Sequence, residues 1–281
     1  MAQPTIWTIA RLTFKEAARR KIVLGALLLG LVFLGVYGTG LYFIRQDMMR
    51  SLHPPSAMIR NQMYNFLLLS GLYVVNFLFV AMAVLTSVDT VAGEIATGTI
   101  HTLVAKPVRR WEVLLGKWAG YVVMLTLYLA MMAGGVIAIV PAITGYRAPN
   151  ALRGIGLIWM NGLLMLNVTL LGGTRLSTLA NGVLVFAGFG VAFVGGWIEQ
   201  IGSFLGSAAA VNVGIVSSLL LPGEALWKRA AFEMRSLIVD AVGFSPFTAA
   251  SVPSPLMVGY AVLYALVALG LAVWSFERRD L

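Results

Sequence analysis

Long charge-free stretches alternate along the chain with short basic or polar ones. The charge-free runs cover residues 22–44, 61–88, 118–146, 154–174, 176–198, 200–223 and 241–276, and each holds the roughly 20 residues with which a helix crosses a hydrocarbon core of about 30 Å. None shows the polar and apolar alternation, in segments of about 10 residues, that a membrane barrel needs. The pattern predicts an all-α bundle of transmembrane helices, each satisfying its own backbone donors.

Not every run reads as a span. Run 200–223 is interrupted by Gly202, Ser203, Gly206, Ser207, Asn212, Gly214, Ser217 and Ser218 and ends at Pro222, so 199–254 is expected to be extracytoplasmic or re-entrant, covered by the rest of the bundle. The last run exceeds one span, and proline's preference for a first helical turn sets its start near Pro255. Six spans result, at 22–44, 62–88, 114–144, 154–174, 176–198 and 255–276, in a single domain covering 1–281.

Ahead of the first span, 4–21 plots as an amphipathic helix. Ile6, Ile9, Ala10, Thr13, Phe14 and Ala17 share one face, and Arg11, Lys15 and Arg19 lie opposite. Trp7 is at the edge, and Leu12 breaks the pattern. Such a helix is expected to lie flat on the bilayer, its cations toward anionic headgroups and Trp7 at the interface.

Composition strengthens the membrane reading. The 281 residues are 59% hydrophobic and 11% charged, whereas a soluble domain is about 25% charged. Twenty Lys and Arg against eleven Asp and Glu leave +9, the signature of basic loops facing the cytoplasm rather than of a nucleic-acid face. Six spans with both termini inside place twelve of these cations in the cytoplasm and eight outside, whereas a seventh span at 200–223 gives thirteen and seven. Charge alone does not separate the two models, and the broken character of that run favours six. There is no cysteine and there are two histidines, His53 and His101, so neither a thiolate metal site nor a catalytic triad assembles. Methionine pairs such as Met48-Met49 and Met131-Met132 read as flexible apolar filler rather than a copper site. The runs contain no Asp, Glu, Lys, Arg or His and so almost nothing ionisable, which argues against an ion-coupled transporter. Asn76, Asn161 and Asn167 remain as candidates for hydrogen bonds between helices.

The longest polar interruption on the expected cytoplasmic side is 89–113. Ile95, Thr99 or Ile100, and Leu103 fall at helical spacing, Pro107 opens a new helix, and Trp111, Leu114, Leu115 and Trp118 carry a stripe into the next span. Lys117 is placed to snorkel, and the tryptophans read as interface-belt residues. The order Gly93-Glu94, Gly98-Thr99, Leu103, Lys106-Pro107, Arg110, Leu114 and Gly116-Lys117 resembles the cytoplasmic loop of the ABC type-2 transporter permeases. The ending Trp274 to Leu281, with Arg278-Arg279-Asp280-Leu281, is similar to that family's last-helix ending.

The resemblance implies a permease subunit in the bacterial inner membrane that pairs with a second copy or a related permease and with a separate ABC-type ATPase subunit. ATP and Mg bind that subunit and no cofactor binds this chain. No nucleic-acid partner is implied, and the bilayer is the other contact. The chain carries no phosphate-binding loop of its own, since Gly116-Lys117 lacks the required spacing and is followed by Trp118. Glu94, Thr97, Gly98, Thr99, His101, Pro107, Arg109 and Arg110 become the expected ATPase-coupling residues; Trp7, Arg11, Lys15 and Arg19 are the expected interfacial anchors. Each has a plainer role open to it, as helix cap, helix break or positive-inside anchor. A second functional reading is a non-transporting membrane component that passes ATPase-driven motion to an extracytoplasmic partner or anchors one.

Overall fold

A computed structural model describes residues 5–51, 55–96, 109–235 and 252–278. Among these residues it contains ten helices and no strand: α1 (Thr5–Ala18), α2 (Lys21–Arg50), α3 (Ala57–Ser87), α4 (Asp89–Ala96), α5 (Arg110–Thr144), α6 (Ala151–Gly173), α7 (Thr178–Phe204), α8 (Ala208–Leu220), α9 (Gly223–Met234) and α10 (Pro255–Glu277). Six of them, α2, α3, α5, α6, α7 and α10, are long and apolar enough to cross a membrane. Helices α8 and α9 together have the apolar length of a seventh span, but they meet at 107°. Pro222 sits at that corner as the residue capping α9.

Local chemistry fixes the breaks. The Ser56, Ser177 and Ser207 hydroxyls accept hydrogen bonds from the backbone N–H of Ile59, Ala180 and Ala210, each at 3.4 Å, satisfying orphan donors at the starts of α3, α7 and α8. Gly145 closes α5 in the left-handed conformation at φ 76°, and Gly206 turns α7 into α8 at φ 69°. Pro255 is the first residue of α10, where its missing N–H costs nothing.

The bundle is built around α3 and α6. In the most apolar stretch of each, 61% of residues are buried, against 11% for α2. Phe79 of α3 lies against Gly162 of α6, and the Asn161 side-chain amide donates to Asn76 Oδ1 at 2.9 Å one turn away. Helix α2 borders the bundle, with Tyr37 packed over Gly71 and donating to the Leu67 carbonyl at 3.0 Å. Its other side carries Leu24, Leu28, Leu31, Val32 and Val36, all exposed, as a lipid-facing surface requires.

The chain ends of the long helices gather at two poles. At one, the C-termini of α3, α6 and α10 meet the N-termini of α5 and α7, with α1 laid alongside. At the opposite pole Asn65 of α3 donates to the Tyr146 hydroxyl at 2.8 Å and to the Met234 carbonyl at 2.9 Å. Burial raises the Tyr146 hydroxyl above the usual phenol range, and the Asn65 bond offsets part of that rise.

Helix α7 carries a correction. A charged residue at 199 ends the apolar run in sequence, yet the helix continues through Glu199 to Phe204. The reason is tertiary: Lys228 of α9 meets Glu199 at 2.7 Å inside the protein, so the carboxylate is paired rather than set in solvent.

Candidate functional site

The pole bearing α1 and α4 is where the segment 97–108 leaves the described structure and returns at Arg109. Thr97, Gly98, Thr99, His101 and Pro107 lie outside the described residues, as does His53. Glu94 is within α4, a helix that opens with Asp89 in its first turn, a favourable place for a carboxylate.

Helix α4 is fastened to three neighbours. The Thr90 hydroxyl donates to the Tyr121 hydroxyl of α5 at 2.7 Å, buried from solvent. Lys117 of α5 donates from Nζ to the Thr90 carbonyl at 3.4 Å. From α7, the Thr178 hydroxyl donates to Asp89 Oδ1 at 3.1 Å, while α4 also follows directly on α3. A displacement of α4 therefore acts on α3, α5 and α7 together. Lys117 is buried to 8% exposure, so it does not snorkel as its position in the sequence suggested; its ammonium is turned inward, to the Thr90 carbonyl in the first turn of α4.

On the return side, Arg109 caps α5, its N–H donating to Glu112 Oε2 at 3.0 Å. Arg110 donates from its guanidinium to the Glu277 carbonyl at 3.5 Å, a cation set against the C-terminal end of α10. Ser275 of that helix accepts from the Thr174 hydroxyl at 3.0 Å and from Arg175 Nε at 3.1 Å. Arg109 and Arg110 thus stand together at the loop's return, and Arg110 joins that return to the end of α10.

Helix α1 lies in a seat made by two glycines. Alongside Gly116 are Ile9 and the Ile6 carbonyl, and a Cβ at 116 would stand 2.7 Å from Ile9 Cβ; at Gly120 a Cβ would stand 2.7 Å from the Ala10 carbonyl oxygen. The face of Ala10, Thr13 and Ala17 is buried, so the apolar side of α1 is turned to α5 and not to lipid. Trp7, Arg11, Lys15 and Arg19 are all exposed, with Leu12 at 62% among them. The residue that broke the amphipathic pattern is therefore part of the outward surface. Trp118, expected in an interface belt, donates from its indole to Asn167 at 2.7 Å, and Asn167 in turn donates to the Ala265 carbonyl at 2.9 Å. It ties α5 through α6 to α10.

A second polar group lies at a distance along the chain. Glu199 and Lys228 form a bond of 2.7 Å with side chains 4% and 7% exposed. Glu224, one turn before Lys228, is also buried and stands over Gly196. The sequence reading, which found almost nothing ionisable inside the membrane, missed this group. Its sequence signal was the i, i+4 placement of Glu224 and Lys228 in the charged segment 224–235, directly after the charge-free run 200–223.

The profile described as "ABC-2 family transporter protein" matches residues 7–281. No curated protein matches the chain.

Proposed function

The chain belongs to the ABC-2 family of transporter proteins, and from that membership of a permease component we propose that it acts as the membrane-spanning partner of a separate ABC-type ATPase, exporting a substrate with energy from that subunit. The observation that carries the reading is the three-way fastening of α4, through Thr90 to Tyr121 and Lys117 and through Asp89 to Thr178. An ATPase that engages the 89–113 loop moves α4, and α4 has polar holds on α5 and α7 and is continuous with α3. Transmission needs a stiff, satisfied hydrogen-bond set rather than a mobile linker, and this is one.

In this reading the α1 pole is cytoplasmic, both termini lie there, and the membrane is the bacterial inner membrane. Glu94, Thr97, Gly98, Thr99, His101, Pro107, Arg109 and Arg110 form or flank the ATPase contact. Trp7, Arg11, Lys15 and Arg19 point from α1 to headgroups, whose negative potential attracts juxtamembrane cations by about 1 kcal/mol each. Two copies with two ATPases make the working unit, and α8 and α9 form a re-entrant hairpin on the far side.

Because the chain has no cysteine, a single cysteine introduced by His101→Cys gives one crosslinking site. Co-expressed with a candidate ABC ATPase and labelled with a maleimide–benzophenone photocrosslinker, the variant is expected to yield one permease–ATPase adduct whose amount changes when ATP is trapped. An adduct from a control Arg147→Cys at the opposite pole, with none from position 101, would reverse the proposed orientation.

A further inference from the structure

At the pole opposite α1, an open cleft of about 390 Å³ lies between α6, α9 and α10. Arg153, Gly156 and Leu157 of α6, Arg229 and Glu233 of α9 and Val258 of α10 form its walls. Helices α6 and α10 are both long and apolar enough to cross a membrane, and they begin here, at Ala151 and Pro255. Arg153 and Val258 lie within about one turn of those starts. The cleft is therefore at the level of the lipid headgroups, whichever leaflet that is.

Its polar side has donors to spare. Of the five N–H groups of a guanidinium, Arg229 commits one from Nη2 to Glu233 Oε1 at 2.6 Å and one from Nη1 to the Pro253 carbonyl at 3.3 Å. These bonds fix its plane. Arg153 is different: its Nη1 comes only to 3.8 Å from Glu233 Oε2, on a side chain that is 75% exposed. That is longer than a hydrogen bond, and among the described residues the Arg153 guanidinium makes none. An arginine with its planar fork open takes a phosphate in a bidentate pair, the geometry that makes such bonds strong.

The other side is apolar. Gly156 faces the cleft without a side chain, and a Cβ built on it meets nothing within 4 Å, which leaves room over the backbone. Leu157 and Val258 are walls. One and two turns beyond Val258, Val262 and Leu266 are 37% and 60% exposed, an apolar track along α10 at i, i+4, i+8 spacing. A free anion would leave that track unused. The head is narrowed by the arginines: a choline or ethanolamine carries a cation beside its phosphate, which two guanidiniums repel, and the carboxylate that would accept it is already bonded to Arg229.

We propose that this cleft binds an anionic phospholipid, its phosphate on the Arg153 guanidinium beside Arg229, its glycerol over Gly156, and an acyl chain along Val258, Val262 and Leu266. Neither ATP nor an ATPase enters the binding step, so its failure and that of the transport reading are separately observable.

The test uses the full chain with one introduced cysteine, Leu152→Cys, labelled with bimane and set in phosphatidylcholine nanodiscs. Leu152 is exposed beside Arg153. Quenching is followed as phosphatidylglycerol, or phosphatidylcholine for comparison, is added with a doxyl group near the top of its acyl chain. Phosphatidylglycerol is expected to half-quench at a mole fraction about fivefold below that of phosphatidylcholine, the factor that one cation at the membrane surface supplies. Millimolar inorganic phosphate at constant ionic strength should not shift it. Arg153→Gln, and Gly156→Leu, which fills the cleft without changing charge, should each bring the two midpoints together. Arg147→Gln, which removes an exposed cation elsewhere at this pole, should leave them apart. Equal midpoints in the parent protein, midpoints that stay apart in Arg153→Gln or Gly156→Leu, or midpoints that merge in Arg147→Gln would overturn the proposal. Displacement by inorganic phosphate would overturn it too, since the cleft would then take a free anion.

Discussion

Gly120 of α5 stands against the backbone of Ala10 in α1, so closely that a Cβ there would lie 2.7 Å from the Ala10 carbonyl oxygen and 2.9 Å from Thr13 Cβ. The obstacle is main chain, which does not rotate aside as a flexible side chain does. Gly120→Val should therefore unseat α1, with an overpacking cost of about 1–3 kcal/mol. The check is limited proteolysis: cleavage among Arg11, Lys15 and Arg19 should become faster in the variant while cuts at the opposite pole keep their rate. Equal rates at both poles would mean that α1 does not need this seat.

The buried ion pair gives an ordered series. Lys228→Met leaves two carboxylates buried with no ammonium between them and should cost about 3–5 kcal/mol. Glu199→Gln leaves Lys228 with Glu224 and should cost clearly less. Denaturation in mixed detergent micelles, followed by tryptophan fluorescence, ranks the two. The reverse ranking would show that Glu224 does not share the lysine.

Asn167 bridges three helices by accepting from Trp118 and donating to the Ala265 carbonyl. Asn167→Leu removes both bonds and should cost about 0.6–1.7 kcal/mol, the range found for hydrogen bonds between membrane helices. Trp118→Phe should lose only the first of them. A double-mutant cycle between the positions reads the coupling, and strict additivity would count against the bridge.

Thr90→Val replaces the hydroxyl that bonds Tyr121 by a methyl of similar size and costs about 1 kcal/mol of local fastening. If the proposed ATPase partner is supplied, assembly should be unaffected and the permease-dependent part of its ATP turnover should fall. Tyr121→Phe removes the same bond from the other side and should give the same fall. Normal stimulation in both variants would remove α4 from the transmission path.

Orientation is open to labelling. In intact cells, cysteines placed by Arg11→Cys and Arg279→Cys should resist a membrane-impermeant maleimide, and Arg60→Cys and Arg147→Cys should react. Reaction at position 279 from outside would require the bent α8–α9 pair to cross the membrane as a seventh span.

Much of this architecture is legible in the order of residues, because lipid imposes a long apolar repeat that needs no knowledge of partners. The six long helices follow from charge-free runs. The face of α1 containing Ala10, Thr13 and Ala17 follows from helical periodicity. What it packs against does not, since an apolar stripe looks the same whether it meets acyl chains or Gly116 and Gly120. Glu199 was missed for a related reason. A carboxylate ends an apolar run in any window of twenty residues, and only the fold brings Lys228, 29 positions later, to within 2.7 Å. Trp118 likewise has the sequence surroundings of an interface residue, and the Asn167 Oδ1 that accepts its indole N–H lies on another helix.

Arg110 touches the last turn of α10 at Glu277. A bulky label attached to that turn, whether a fluorescent protein or an affinity tag, would therefore crowd the start of α5, where the described chain returns at Arg109. The turn at Arg147 and Ala148, on the opposite pole, is where a small epitope leaves that ground clear.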